Sequence, residues 1–483
     1  MRSISILEQQ KIAATNGTWK SPLLQAGILG LAVFAASLFG IFTRPIGQLA
    51  AFWIANAVLL GLLVRNPSWS TPIGWIAAAC GYIAADLIAG TAPGKALWLS
   101  SVNLAGVAAG LIVFRQFSNS IRLLNSPLSV LQMVLGLVGA SAAGAIAGAC
   151  SGIMMFDYDL LHTGILWFVT ELVNYIAIVP VILTAPDLRL GQIERRQTAF
   201  RLATRISPLP FLALVVSCLG AKFIGGPGAV AVPVPALLWC AVSYGRFTTA
   251  LLALAFSAYT LLALSTGFIG EAGTTHSGAT LLSIRLGVML VAITPITVAS
   301  IMAARQELLD RLQHIADHDH LTGALNRRAF DERSQVAAGR LAEQSRPSAM
   351  LMLDIDHFKR LNDSFGHAAG DAVLITLAQV VQQNLRASDL FARFGGEEFA
   401  IMLPDCDQAN ALIIAERIRF AFAAAITLAT DGTPVQATVS IGISGAPQSD
   451  APLAYQLAMA DKALYKAKAN GRNQVALSTD GAA

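Results

Sequence analysis

Charge is what this sequence has little of: Asp, Glu, Lys and Arg make 13% of its 483 residues, about half the share of an ordinary soluble domain. The deficit is regional. Residues 1–304 hold 8 acidic and 16 basic groups, whereas residues 305–483 hold 21 acidic and 17 basic. A basic surplus confined to an apolar region marks the flanks of apolar segments, so no nucleic-acid surface is expected. Cysteine is also scarce. Of five, Cys80, Cys150, Cys218 and Cys240 fall in apolar runs and Cys406 in the polar part, with no C-x-x-C pair, so buried thiols are expected rather than a disulfide framework. The opening MRSISILEQQKIAATNGTWK lacks the apolar core and small-residue cut site of a cleavable signal peptide.

What is abundant is apolar runs near the length of a bilayer-crossing helix, roughly 20 residues. They fall near 23–42, 48–64, 72–90, 96–114, 128–155, 164–184, 209–224, 229–245, 247–268 and 280–304. About ten spans are expected, with the Pro- and Gly-rich region 208–246 open to other divisions. Loops after even-numbered runs carry Arg65, Arg115 and Arg122, then Arg189, Arg195, Arg196, Arg201 and Arg205, then Arg246. Those after odd-numbered runs hold Asp157, Asp159 and Glu271, with Arg44, Lys95 and Lys222 diluting the contrast. An excess of arginine on one side predicts that both termini, and everything after Arg305, face the cytoplasm.

The joint reads MAARQELLDRLQHIADHDHLTGALNRRAF. Ile301, Leu308, Leu312 and Ile315 draw one apolar stripe along a helix continuous with the last run. That stripe wants a partner, either a second copy in a parallel coiled coil or the chain's own polar part. His314, His318 and His320 crowd the same joint; without a cysteine or a well-spaced carboxylate, solvated or packing histidines are the better reading than a metal site.

The chemistry lies beyond. In AMLMLDIDHF a buried strand ends with Asp354 and Asp356, two residues apart and so on one face. Carboxylates at the end of a buried strand are costly without a cation, and Mg²⁺ suits them; solvated acids at a strand end are the alternative. In KRLNDSFGHAAGDAVLITL, Asn362 offers donors and an acceptor, and Asp371 can take two hydrogen bonds from the N1 and N2 edge of guanine, although an Asp near a helix start also serves as a cap. RFGGEEF reads as a hairpin tip: Gly395 and Gly396 let a phosphate or ribose approach the backbone, Glu397 on the second strand can meet Asp354, and Glu398 points to the opposite face if strand alternation holds. ADKALYKAKANGRNQV reads as a helix with Lys468 and Arg472 one turn apart, spaced to clamp terminal phosphates, or else as a solvated basic helix end.

Taken together, DHLTGALNRR, LDIDHFKRLNDSFGHAAGD, RFGGEEF, VSIGIS and ADKALYKAKANGRN closely resemble the GGDEF family of bacterial diguanylate cyclases over about residues 316–478. The resemblance implies an α/β ferredoxin-like fold akin to nucleotide cyclase and polymerase palm domains. It implies condensation of two GTP into cyclic di-GMP and two pyrophosphates, with each subunit of a homodimer presenting one GTP. It further implies Mg²⁺, or Mn²⁺, on Asp354, the Ile355 carbonyl and Glu397. Glu397 is the family's proton acceptor, with Glu398 beside it in the catalytic pair. Asn362 and Asp371 would read guanine; Phe358, Lys359, His367, Gly395 and Gly396 would line the substrate; Lys468 and Arg472 would hold the outer phosphates. RASD, Arg386 to Asp389, matches the family's RxxD site for inhibitory product, a surface ion pair being the alternative.

FWIANAVLLGLLVRNP and TELVNYIAIVPVILTAP resemble, more diffusely, the first type of MASE membrane-associated sensor domain. Asn56, Asp86, Asn103, Glu171 and Asn174 within the runs are costly in hydrocarbon and suit either a ligand pocket or bonds between helices. The expected organisation is a cytoplasmic segment 1–22, a multi-pass α-helical membrane domain 23–304, a signalling helix 305–316, a cyclase domain 317–478 and a disordered tail 479–483, in a bacterial inner membrane. A catalytically silent cyclic di-GMP receptor and a transporter with a regulatory tail are the competing classes. No EAL or HD-GYP motif is present, so breakdown of the messenger is not expected.

Overall fold

The computed structural model describes residues 21–42, 53–117, 124–155, 159–186, 207–224, 227–265, 278–429, 432–446 and 452–478. They divide into two compact units, Met1–Glu307 and Leu308–Ala483. The N-terminal segment to residue 20, the tail from residue 479, and Arg44, Arg122, Asp157, Arg189, Arg195, Arg196, Arg201, Arg205 and Glu271 lie outside the described residues, and much of the sidedness argument with them.

The first unit is helical. Its elements are α1 (Pro22–Phe42), α2 (Ala55–Arg65), α3 (Pro72–Ile88), α4 (Pro93–Arg115), α5 (Pro127–Met155), α6 (Leu160–Thr184), α7 (Leu209–Ile224), α8 (Val234–Ser243), α9 (Arg246–Ser265) and α10 (Gly278–Asp317), the last ending beyond the unit. Each apolar run of the sequence is thus represented by a helix. Helix starts follow local chemistry: the Thr71 hydroxyl accepts the Gly74 N–H with Pro72 in the first turn of α3, and Asp159 caps α6 through the His162 N–H.

Among the described residues, five helices, α1, α4, α5, α6 and α10, are long and apolar enough by length and composition to cross a membrane, and the rest are shorter apolar helices there. Helix α2 has 11 residues, about 16 Å at 1.5 Å per residue, roughly half a hydrocarbon thickness. Nearly all of it is buried, including Asn56, Leu59, Leu60 and Leu63. It is a core helix, and its apolar run reflects burial inside the protein.

Along α10, Ile301, Leu308, Leu312 and Ile315 are all exposed. The rings of His314 and His318 lie with centroids 4.1 Å apart and planes tilted by 30°.

The second unit runs β1 (Leu325–Asn326), α11 (Arg327–Glu343), β2 (Ser348–Ile355), α12 (Phe358–Phe365), α13 (His367–Asn384), β3 (Leu390–Gly395), β4 (Glu398–Pro404), α14 (Gln408–Ala424), β5 (Thr427–Leu428), β6 (Pro434–Val435), β7 (Val439–Ala446), α15 (Leu453–Ala469) and β8 (Val475–Leu477). Six strands form a mixed sheet in the order β1-β3-β4-β2-β7-β8, with β2 antiparallel to both neighbours. All eight residues of β2 are buried, as expected of a central strand covered on both faces. Strand alternation sorts them: Ala349, Leu351, Leu353 and Ile355 join the core with Val373, Leu374 and Leu377 of α13, while Met350 and Met352 pack with Phe330 of α11 and with Ala460 and Leu464 of α15.

Candidate active site

The same alternation places Asp354 on the Met350–Met352 face. Opposite, Ala460, Leu464 and Lys468 recur every four residues along one face of α15, so the stripe that packs the methionines ends in an ammonium where β2 ends in a carboxylate. Lys468 Nζ lies 2.7 Å from Asp354 Oδ2. Close packing sets this reach: a Cβ on Gly442 of β7 would come within 2.1 Å of the Leu464 nitrogen, so only glycine lets α15 lie so near the sheet.

The β3–β4 connection brings the second carboxylate. Gly396 has φ +52° and Gly395 φ +156°, with open space around both, so the tip adopts a turn that side-chain-bearing residues resist. Glu397 lies in this turn and β4 begins at Glu398, correcting the placement of Glu397 on the strand. In register, Glu398 is the partner of Asp354 across β2 and β4.

Two residues the motif reading passed over hold the turn. Arg393 donates through Nε and Nη2 to the Gly396 carbonyl at 2.9 and 2.7 Å, and through Nη1 to Asp319 at 3.2 and 3.3 Å. Burial pushes the Asp319 carboxyl up, but hydrogen bonds from Thr322 and the Arg393 guanidinium outweigh it and leave its pKa below the usual value. The signal was present in the quoted stretches, as the first residue of each.

Asp354, Ile355, Phe358, Lys359, Glu397, Lys468 and Arg472 line one cleft of about 240 Å³. Burial raises the pKa of Asp354; Lys468 opposes that rise, while Glu398 and Asp356 add to it. Burial also raises Glu397, with Asp354 adding and Lys468 opposing.

Three expectations change. Asp356 is not free to pair with Asp354 around a cation, because Ser440, Thr438 and the Asn473 N–H all donate to its carboxylate. Arg472 is not on the Lys468 helix: α15 ends at Ala469, and Arg472 follows in a left-handed conformation at φ +63°. The RASD pair is a turn in which the Arg386 backbone N–H donates to the Asp389 carboxylate at 2.8 Å.

The expected base readers gather on α12 and α13. Asn362 Oδ1 is buried with no hydrogen-bond partner among the described residues, and a Cβ on Gly370 would come 1.9 Å from it. Phe358 packs into the core beside them. Asp371 is exposed within α13, whose cap position is Gly366, so it does not cap the helix. His367 begins that helix and is exposed. Asn362, His367 and Asp371 are not among the residues lining the 240 Å³ cleft.

The donor set fits a hard divalent ion. Two carboxylates with raised pKa share the cleft with a strand-end carbonyl, and Mg²⁺ typically takes one or two protein carboxylates with phosphate and water oxygens completing its shell. With cationic side chains alongside, this is the arrangement of an enzyme that handles phosphate groups. Residues 316–474 match the family described as diguanylate cyclase, GGDEF domain. The chain is 30% identical over 457 residues to the probable diguanylate cyclase DgcF of Escherichia coli O157:H7, covering 92% of this chain and 93% of that protein. It is 43% identical over 169 residues to the response regulator PleD of Caulobacter vibrioides, covering 35% of this chain and 37% of that one. The crystal structure of the coiled coil and GGDEF domain of DgcB from Caulobacter crescentus, in complex with c-di-GMP, aligns at 30% identity with a TM-score of 0.35, covering 36% of this chain and 91% of that chain. The chain belongs to the GGDEF-domain diguanylate cyclases.

Proposed function

We propose that this diguanylate cyclase is a multi-pass membrane protein in which residues 23–304 form a MASE-type sensor, 305–316 a signalling helix and 317–478 the catalytic domain, facing the cytoplasm of a bacterium. The β-α-β-β-α-β order of β2, α12–α13, β3, β4, α14 and β7 supports the ferredoxin-like reading of that domain. The observation that carries the catalytic reading is the convergence of Asp354, Glu397, Lys468 and Arg472 on one cleft. A silent receptor for cyclic di-GMP has no use for that combination.

In this reading Asp354, the Ile355 carbonyl and Glu397 hold Mg²⁺, or Mn²⁺, which when bound polarises the reacting phosphate and neutralises its charge. Asn362 and Asp371 orient guanine, while Phe358, Lys359, His367 and the Gly395–Gly396 turn border the nucleotide. The 3′-hydroxyl of a GTP on a second copy attacks the α-phosphate in line. Lys468 and Arg472 take up charge on the departing pyrophosphate, and Glu397, next to Glu398, accepts the hydroxyl proton. The exposed apolar stripe on α10 suits pairing of two such copies in a homodimer.

The full chain in lipid vesicles, given GTP and Mg²⁺, should yield cyclic di-GMP identified by mass. Glu397→Gln should lower turnover by at least about 10²-fold, the scale for losing one charge-stabilising group; retained turnover removes Glu397 from the site. Arg386→Ala should relieve inhibition by cyclic di-GMP several-fold, and unchanged inhibition would leave RASD as a surface turn.

A further inference from the structure

Asp356 stands two residues after Asp354 in one motif and also borders the cleft, yet both of its carboxylate oxygens accept hydrogen bonds from other parts of the chain. It is buried. Its Oδ1 accepts the Ser440 hydroxyl at 2.6 Å; its Oδ2 accepts the Thr438 hydroxyl at 2.7 Å and the Asn473 backbone N–H at 3.0 Å. Asn473 is gripped from the other side as well. Arg419 of α14 donates through Nη1 to the Asn473 carbonyl at 3.1 Å and to its side-chain oxygen at 2.9 Å, and is steadied by Glu416 at 2.8 Å through Nε.

The grip coincides with an unfavourable backbone. Arg472 and Asn473 have φ +63° and +44°, following Gly471 at +116°. Successive left-handed residues with side chains persist only where surrounding contacts hold them. Other local ties among the described residues include the Arg472 N–H to the Ala467 carbonyl at 3.1 Å, the Gln474 side chain to the same carbonyl at 2.8 Å and the Ile441 N–H to the Gln474 carbonyl at 3.0 Å. None of these is made by Asn473 itself.

We propose that Asp356 and Arg419 are positioning residues that lock the turn after α15 and thereby deliver Arg472 to the cleft it shares with Lys468. This rests on the reading of Arg472 as a binder of the outer phosphates. Asp356 acts from the sheet and Arg419 from α14, so the two test the same lever from opposite sides, one of them within a metal-binding motif and one outside every motif.

The test uses the full chain in lipid vesicles, with KM for GTP and inhibition by free pyrophosphate as readouts, for Arg472→Ala, Arg419→Met, Asp356→Asn, Asp356→Ala and the doubles with Arg472→Ala. Arg472→Ala should weaken pyrophosphate inhibition on the order of tenfold, the scale of one charge-assisted hydrogen bond. Arg419→Met, which keeps an apolar stem, should reproduce several-fold of that loss and add nothing once Arg472 is Ala. Asp356→Ala should do the same, and Asp356→Asn less, because an amide oxygen can still accept from Asn473 and Thr438 while its NH₂ donates to Ser440. The Mg²⁺ concentration for half-maximal rate should stay put in Arg419→Met and Asp356→Asn.

Effects that add fully to Arg472→Ala, a loss below twofold in Arg419→Met, or a shifted Mg²⁺ requirement in Asp356→Asn would each overturn the inference. If Asp356→Ala does not fold, Arg419→Met carries the test alone. No change in Arg472→Ala itself would instead overturn the phosphate reading beneath it.

Discussion

Asn362 Oδ1 in the catalytic unit and Glu171 Oε2 in the helical unit are both buried oxygens without a hydrogen-bond partner among the described residues, and their surroundings differ. Around Glu171 the polar groups serve the helices. Asn56 of α2 donates to Glu171 Oε1 of α6 at 2.7 Å and to Asn103 of α4 at 3.0 Å, while its own oxygen accepts the Tyr82 hydroxyl of α3 at 2.6 Å. One amide thus pins three neighbouring helices to the core helix. Around Asn362 the polar group is left over: Gly370 makes room for it, Phe358 packs beside it and Asp371 follows on the same helix. The contrast is between a buried polar group set in a hydrogen-bonded network that ties helices together and one that packing leaves beside a glycine and an aromatic ring, where the proposed base reading would use it.

The strongest attempt to break that contrast is Gly370→Ala. A methyl 1.9 Å from Asn362 Oδ1 must displace the amide, so preference for GTP over ATP should fall by about 10²-fold, as when a polar recognition group is mismatched. Unchanged preference in competition assays would place base reading elsewhere. A smaller effect concerns the cleft carboxylates. Asp354 and Glu397 both have raised pKa, so the folded chain binds these protons more tightly than the unfolded chain. Their contribution to stability is therefore greatest at low pH and declines as pH rises from ordinary carboxylate values through the raised ones. Mg²⁺ competes for the deprotonated forms, so its upward shift of the unfolding temperature should grow across that same window and fade below it. A Mg²⁺ effect independent of pH there would argue against a shared ion. The smallest expected effect is Asn56→Leu, which should lower the unfolding free energy of the helical unit in detergent by about 1–2 kcal/mol, the range for bonds between buried helices. No loss on chemical unfolding would show that the Asn56 network is not what holds α2.

Much of the catalytic unit was legible because its signals are local. A strand buried along its whole length, a glycine turn and helices with apolar faces are written in consecutive residues, and the stretches from DHLTG to NGRN point to one family. The helical unit was legible only as apolarity. Hydropathy records that a segment avoids water, and the all-round burial of α2 has the same signature as a span.

The sequence by itself determined the class of chemistry: Asp354 at the end of a buried strand, Glu397 directly after a glycine pair, and the basic groups Lys468 and Arg472 four residues apart, each a matter of spacing along the chain. Only the tertiary structure decided which carboxylate is available. Asp354 and Asp356 look equivalent in LDID, but donors from residues 438, 440 and 473 consume one and the Lys468 ammonium meets the other. Those partners lie more than 80 positions away in the chain. A hydrogen bond is settled by distance in space, and spacing along the chain carries no record of which distant donor the fold will bring within 3 Å.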